Sequence, residues 1–146
     1  MNVQVRYYTR SGNTERLARA VAEAIGVTAE TVEQRLTERV DVLFLCSSYY
    51  AFDVAPEVKA FLRENRDMIG EIVCVGTSAM MRSMKKPMRR AVKAYGIPVS
   101  EREFHCRGQF KKAHPGRPNA EDLGEAADFV RSVLNEKSDS AGGTDV

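Results

Sequence analysis

Thr9-Arg10-Ser11-Gly12-Asn13-Thr14 gathers three hydroxyls, one glycine and one amide into six residues. An apolar strand pattern, Val3 to Tyr8, precedes it, and a helical pattern opening at Asn13 follows. A strand, a glycine turn and a helix start together form an anion site. The first N–H groups of a helix have no intrahelical partner, and the helix dipole adds partial positive charge there. The Thr9, Ser11 and Thr14 hydroxyls can add donors, so a phosphate can be held without a lysine. An alternative reading makes Gly-Asn-Thr only a turn and a helix cap. Arg10 adds an ion pair in one reading and points to solvent in the other. Two better-known phosphate loops are excluded, because neither a Gly-Lys-Ser/Thr ending nor a G-x-G-x-x-G run is present.

The elements around this loop must position it. Apolar runs predict strands at Val3–Tyr8, Val27–Glu33, Val42–Ser47, Ile72–Thr77 and Glu103–Arg107. Helical periodicity predicts helices at Asn13–Ile25, Ala55–Glu64, Lys86–Tyr95 and Ala120–Asn135. The alternation is that of a parallel α/β sheet. Val42-Leu43-Phe44-Leu45 is apolar on both faces, as a central strand requires. The first strand is not: Val3, Val5 and Tyr7 alternate with Gln4, Arg6 and Tyr8. Only Gln34 to Val40 separates the second strand from the third, too few residues for a full crossover helix, so that helix is expected to shrink to about a turn. Residues 1–136 read as one domain and 137–146 as a flexible tail without apolar periodicity.

Composition narrows the function classes. With 146 residues, 43% hydrophobic and 29% charged, the chain can bury a core without metal or disulfide staples. No apolar run approaches the ~18 residues of a membrane helix, no secretion signal is evident, and Cys46, Cys74 and Cys106 read as reduced cytoplasmic thiols. Net charge is +2, yet residues 82–117 hold eleven basic residues against Glu101 and Glu103 alone. No aromatic residues interleave that run in a nucleic-acid motif, so a nucleic-acid partner is not expected. A solvated face or a docking surface for an acidic partner remain as readings.

From Val3 to about Leu134 the chain resembles the flavodoxins. The resemblance rests on the Thr9–Thr14 loop, on Cys46-Ser47-Ser48-Tyr49-Tyr50 after the third strand, and on Gly76-Thr77-Ser78-Ala79-Met80-Met81 after the fourth. It implies a five-stranded parallel sheet of order 2-1-3-4-5 in a doubly wound sandwich, binding FMN non-covalently for electron transfer. The implied FMN contacts are Thr9, Arg10, Ser11, Gly12, Asn13 and Thr14 for the phosphate. Ser48, Tyr49, Tyr50, Ala51, Thr77, Ser78, Ala79 and Met80 would meet the ring, with Tyr50 or Tyr49 stacking on it. FMN would carry the chemistry, so no catalytic side chain is sought.

Departures accompany the likeness. Met80 and Met81 stand where many flavodoxins place a tyrosine, and Phe52 occupies a loop where some use glycine. The basic excess reverses the usual acidic sign, which favours an anionic reduced ring and a partner with an acidic docking surface. A monomer or weak homodimer is expected, because the Gln4/Arg6 face is polar. Two other functions stay open: a flavin-dependent quinone or small-molecule reductase, and a flavodoxin-fold interaction module without flavin.

Overall fold

Parallel strands β1 (Val3–Tyr8), β2 (Ala29–Thr31), β3 (Val42–Ser48), β4 (Ile72–Thr77) and β5 (Val99–Cys106) form one sheet of order β2-β1-β3-β4-β5 in a computed structural model. The structure describes residues 1–10, 12–48, 53–77, 83–108 and 116–143. Helices α1 (Asn13–Ile25) and α4 (Ala120–Gly143) cover one face. Helices α2 (Pro56–Glu64) and α3 (Lys85–Val92) cover the other, with a single 3₁₀ turn at Lys93–Tyr95 ending the α3 segment.

Strand alternation decides which side chains each layer receives. Val5, Tyr7, Phe44, Cys46, Val73, Val75 and Cys106 meet Leu17, Ala18, Val21 and Ala22 of α1 and Ala126, Val130 and Val133 of α4. Leu43, Leu45, Ile72 and Cys74 meet Val58, Phe61 and Leu62 of α2 and Met88 and Val92 of α3. The two cores lie back to back across the sheet, as helices on both faces require.

The connection from β2 to β3 contains no helix. Turns carry the chain through residues 32–39, beginning with the Gln34 N–H donating to Thr31 O at 3.0 Å. Val32, Leu36 and Val40 dip into the α2/α3 core in place of a helix face. Buried Asn65, at the end of α2, pins the segment: its Oδ1 accepts the Leu36 N–H at 3.0 Å while its Nδ2 donates to Phe61 O at 2.8 Å.

Three elements depart furthest from the sequence pattern. β2 is an edge strand that pairs only through Ala29–Thr31, shorter than the expected Val27–Glu33. β5 begins four residues before the expected Glu103, because Val99 pairs with Ile72 while Glu103 pairs with Cys74. The intervening register irregularity breaks the alternation that a sequence pattern needs. Finally, α4 continues through Gly143, eight residues beyond the expected Asn135, so residues 137–143 are helical. Lys137 donates to the Glu71 carboxylate and Arg102 pairs with Glu136 at 2.7 Å, which fastens this end to the sheet. No proline stands within α4, and after Gly124 no glycine follows until Gly142.

Candidate functional site

The strand registers bring the carboxyl ends of β1, β3, β4 and β5 to one edge: Tyr8 lies beside Ser47, Ser48 beside Thr77, and Thr77 beside Cys106. The strand order reverses between β1 and β3. Ligands of open α/β sheets bind in the crevice beyond such a switch point.

At that crevice the chain leaves β1 and enters α1 through Gly12, whose φ of 89° is left-handed backbone that a residue with a Cβ adopts only under strain. The Thr9 hydroxyl braces the turn by accepting the Gly12 N–H at 2.9 Å. Gly12 O then accepts the Arg16 N–H at 3.2 Å, the first bond of the helix ladder. The N–H groups of the first turn therefore face the loop.

Thr14 is fully buried, and its hydroxyl shares a 3.2 Å hydrogen bond with the Thr77 hydroxyl, either atom serving as donor. This bond joins the start of α1 to the end of β4. It makes Thr14 and Thr77 braces between two of the loops expected to hold a ligand. Exposed Arg10 folds back on the first strand, its Nε donating to the Tyr8 hydroxyl at 3.2 Å and its guanidinium 6.0 Å from that ring centre. Asn13 is the first residue of α1, and Ser48 is the last of β3, paired with Thr77. Ser11, Tyr49, Tyr50, Ala51, Ser78, Ala79 and Met80 lie outside the described residues, as do Phe52 and Met81.

Sequence reading missed how the far end of the chain closes this edge. Gly108, buried just after β5, passes so near the site that a Cβ there would lie 3.1 Å from Thr77 Cβ and 3.4 Å from Asn13 Nδ2. Arg16 Nη2 donates to Pro118 O at 2.7 Å, linking α1 to the approach to α4. Arg117 grips the buried Asp122 carboxylate through Nε at 2.6 Å and Nη2 at 2.7 Å. Asp122 also accepts the Asn119 N–H at 2.8 Å, and Asn119 Oδ1 accepts the Asp122 N–H at 3.0 Å. The reciprocal pair caps α4. Arg117, aided by the Asn119 N–H, holds the Asp122 carboxyl below the usual range despite its burial. The Asn119–Asp122 spacing was the available sequence signal, an acid three residues beyond an asparagine at a helix start.

Two other groups near this edge are set by burial. His105 sits on β5 beside Gly76, its Nε2 buried without a partner among the described residues. Burial, with Arg107 adding to it and Glu103 opposing, lowers its pKa. The three cysteines are free and buried. Burial pushes the Cys74 and Cys106 thiols up to about 12, and Cys46 higher still, the opposite of an activated nucleophile. Among the described residues no cluster of three His, Cys, Asp or Glu side chains is placed to hold a metal, and no helix is long and apolar enough to cross a membrane.

Comparison with solved structures places this architecture. A flavodoxin from the domain Archaea superposes with a TM-score of 0.70 at 14% identity, over 93% of this chain and 98% of its own. Oxidised Flavodoxin 1 from Bacillus cereus gives 0.68 at 16% identity, over 92% and 98%. A flavoprotein from Lactobacillus acidophilus NCFM, solved in complex with FMN, gives 0.59 at 15% identity, over 73% and 92%. No protein-family model and no curated protein matches the sequence. The chain therefore has the flavodoxin-like fold, with the expected strand order.

Proposed function

We propose that this protein binds FMN non-covalently at the switch-point edge and serves as an electron-transfer protein. One observation carries the reading: the start of α1, entered through left-handed Gly12 and braced by Thr9, stands where the strand order reverses. A phosphate dianion suits unpaired helix N–H groups. The close pass of Gly108 over Thr77 and Asn13, which a Cβ would obstruct, fits a cradle lined by backbone. Thr9, Gly12, Asn13 and the α1 N-terminus would hold the phosphate; Ser48 and Thr77 stand at the strand ends from which the ring-binding loops depart.

FMN, when bound, would supply the acceptance and release of electrons. The chain's own residues orient and brace. The Thr14–Thr77 bond keeps the phosphate loop in register with the loop after β4, and Arg10 donates to the Tyr8 hydroxyl. Three cations follow the loop after β4, Arg82, Lys85 and Lys86: Lys85 is paired with Glu101 at 3.6 Å, whereas Lys86 is exposed without a carboxylate partner among the described residues, and Arg82 lies outside them. Lys86→Glu should therefore lower the second reduction potential more than Lys85→Glu does, measured by photoreduction against a reference dye. A cytoplasmic setting fits three unpaired thiols.

Calorimetry with FMN and riboflavin tests the proposal. Each charge-assisted hydrogen bond to the phosphate contributes about 1.5–3 kcal/mol, so riboflavin should bind at least about a hundredfold more weakly. Equal affinities would remove the phosphate assignment. Failure of both to bind would favour the interaction module.

A further inference from the structure

Charge on this molecule is segregated, and the segregated part adjoins the candidate site. Residues 82–117 carry eleven of the 22 basic residues but only two of the 20 acidic ones. The structure spends both acids locally. Glu103 accepts from Ser83 Oγ at 2.7 Å and from the Met84 N–H at 3.0 Å, capping the start of α3. Glu101 takes Lys85 at 3.6 Å and Arg89 at 2.5 Å.

Lys86, Arg90 and Lys93 remain, all exposed and without a carboxylate partner among the described residues. They are spaced four and three residues apart, so they share one side of the segment, where like charges repel. Lys86 also sits in the first turn of α3, against the helix dipole. This arrangement weakens the isolated helix. It is held instead by Met84 and Met88, both fully buried in the core beneath it.

Position gives the charges a use. α3 follows the loop after β4, and α2 follows the loop after β3, the two loops assigned above to the flavin ring. Beside the loop after β3, Lys59 at 2.8 Å, the Val54 N–H and also the charge of Arg90 hold the Asp53 carboxyl below its usual range.

We propose that the exposed side of α3, built from Lys86, Arg90 and Lys93, is the docking surface for an acidic patch on a protein redox partner, an inference that rests on the flavin reading above. Electrostatic attraction would steer the partner to the edge from which both ring loops depart. The patch extends only about 10 Å along the segment, at 1.5 Å per residue. No aromatic residue lies between Lys86 and Lys93 to stack on bases. A compact acidic protein surface fits it better than a nucleic-acid strand.

The test uses one haem protein in two charge states: native cytochrome c, which is basic, and its succinylated derivative, which is acidic. The isotope-labelled chain, with and without FMN, is titrated with each and with a 20-nucleotide oligothymidylate, followed by amide NMR shifts. Succinylated cytochrome c should shift the amides of residues 85–93 and bind at least tenfold more weakly when salt rises from 20 to 200 mM. Native cytochrome c should leave those amides unmoved. K86E/R90E/K93E should weaken binding of the succinylated form at least tenfold, and K86Q/R90Q/K93Q should weaken it less; the wild-type shift map stands even if either variant fails to fold. Shifts confined elsewhere, unchanged affinity in the folded variants, or tighter binding of the oligonucleotide would overturn the proposal. FMN affinity separates the two readings: retained FMN binding without docking on α3 sinks this proposal alone, whereas docking by a chain that binds no FMN keeps the acidic-partner surface but sinks the flavin reading and, with it, the partner's redox role.

Discussion

The two faces of the sheet solve the same problem by different chemistry. Over β1 on the α1/α4 side, Val5 and Tyr7 pack against a helix whose buried residues Leu17, Ala18, Val21 and Ala22 recur at helical spacing. On the opposite side of β1 the β2–β3 connection, which has no helix among the described residues, runs instead, and Arg6, only 4% exposed, takes the central place. Its Nε donates to Gln34 O at 3.1 Å, Nη1 to Val5 O at 3.2 Å and Gln4 Oε1 at 3.4 Å, and Nη2 to Arg35 O at 3.5 Å. Glu30 pairs with Nη2 at 3.2 Å. The fork of a guanidinium satisfies the backbone carbonyls that a helix would have satisfied within itself. A polar recess of about 340 Å³ remains beside it, lined by Gln4, Arg6, Glu30 and Gln34 among others. A short crossover thus costs the fold an apolar layer, and one buried arginine stands in as a hub for the loop.

The sharpest way to break this comparison is to truncate each side in turn. Phe44→Ala, in the α1/α4 core at 0% exposure, should cost about 3–5 kcal/mol by urea denaturation. Leu36→Ala, in the helix-free segment at 6% exposure, should cost at least about 2 kcal/mol. A loss below about 0.5 kcal/mol, typical of surface changes, would mean that the segment decorates the sheet rather than covers it.

Next in size is the hub. Arg6→Met retains the stem but removes every donor, and loss of charge-assisted bonds to carbonyls should cost about 1.5–3 kcal/mol. Hydrogen exchange should rise first at the Leu36 N–H, which lies in the segment that Arg6 fastens. Equal stability of Arg6→Met and wild type would show that the recess needs apolar cover, not a charge.

A smaller effect separates the sides by pH. Asp122 belongs to the α4 side, and its folded pKa lies below its unfolded value. Its stabilisation is therefore complete above about pH 4, the unfolded carboxylate value, and is lost as pH falls toward the folded one. Asp122→Asn should be less stable at pH 7 but lose less between pH 5 and 3 than wild type does. Identical slopes in stability-against-pH curves would assign the acid sensitivity elsewhere. Lowered His105 acts in the same direction at higher pH: burial favours its neutral form, so that contribution fades as pH falls through about 6.5.

The smallest effects lie on the surface of the recess. Glu30 is 46% exposed, so Glu30→Gln should change stability by less than about 1 kcal/mol. The polar lining also predicts a monomer or a weak, wet homodimer, since tight interfaces have apolar cores. A concentration-independent dimer at low micromolar protein in ultracentrifugation would contradict it.

Legibility followed burial. β1, α1 and β4 ended where apolar alternation and helical spacing placed them, because each is packed on a face that punishes a register slip. β2 and β5 are edge strands, and their ends depend on one neighbour's register instead of on their own pattern. The candidate site divides the same way. A hydroxyl-rich turn ahead of a helix was visible in Thr9–Thr14, but not that Thr14 would spend its hydroxyl on Thr77, sixty-three residues away.

By itself, the sequence determined the alternation of strands and helices, the lack of a full crossover helix after β2 and the segregation of charge, because each follows from residue type and spacing along the chain. Tertiary structure decided which charges are used and which are left over: Glu101 and Glu103 neutralise Lys85, Arg89 and the start of α3, and Arg6 becomes a buried hub. It also decided that α4 would run to Gly143, fastened through Lys137 and Glu136 to residues far away in sequence. Such outcomes depend on partners whose proximity only the closed sheet creates, and no local pattern encodes a distance between residues that the fold has yet to bring together.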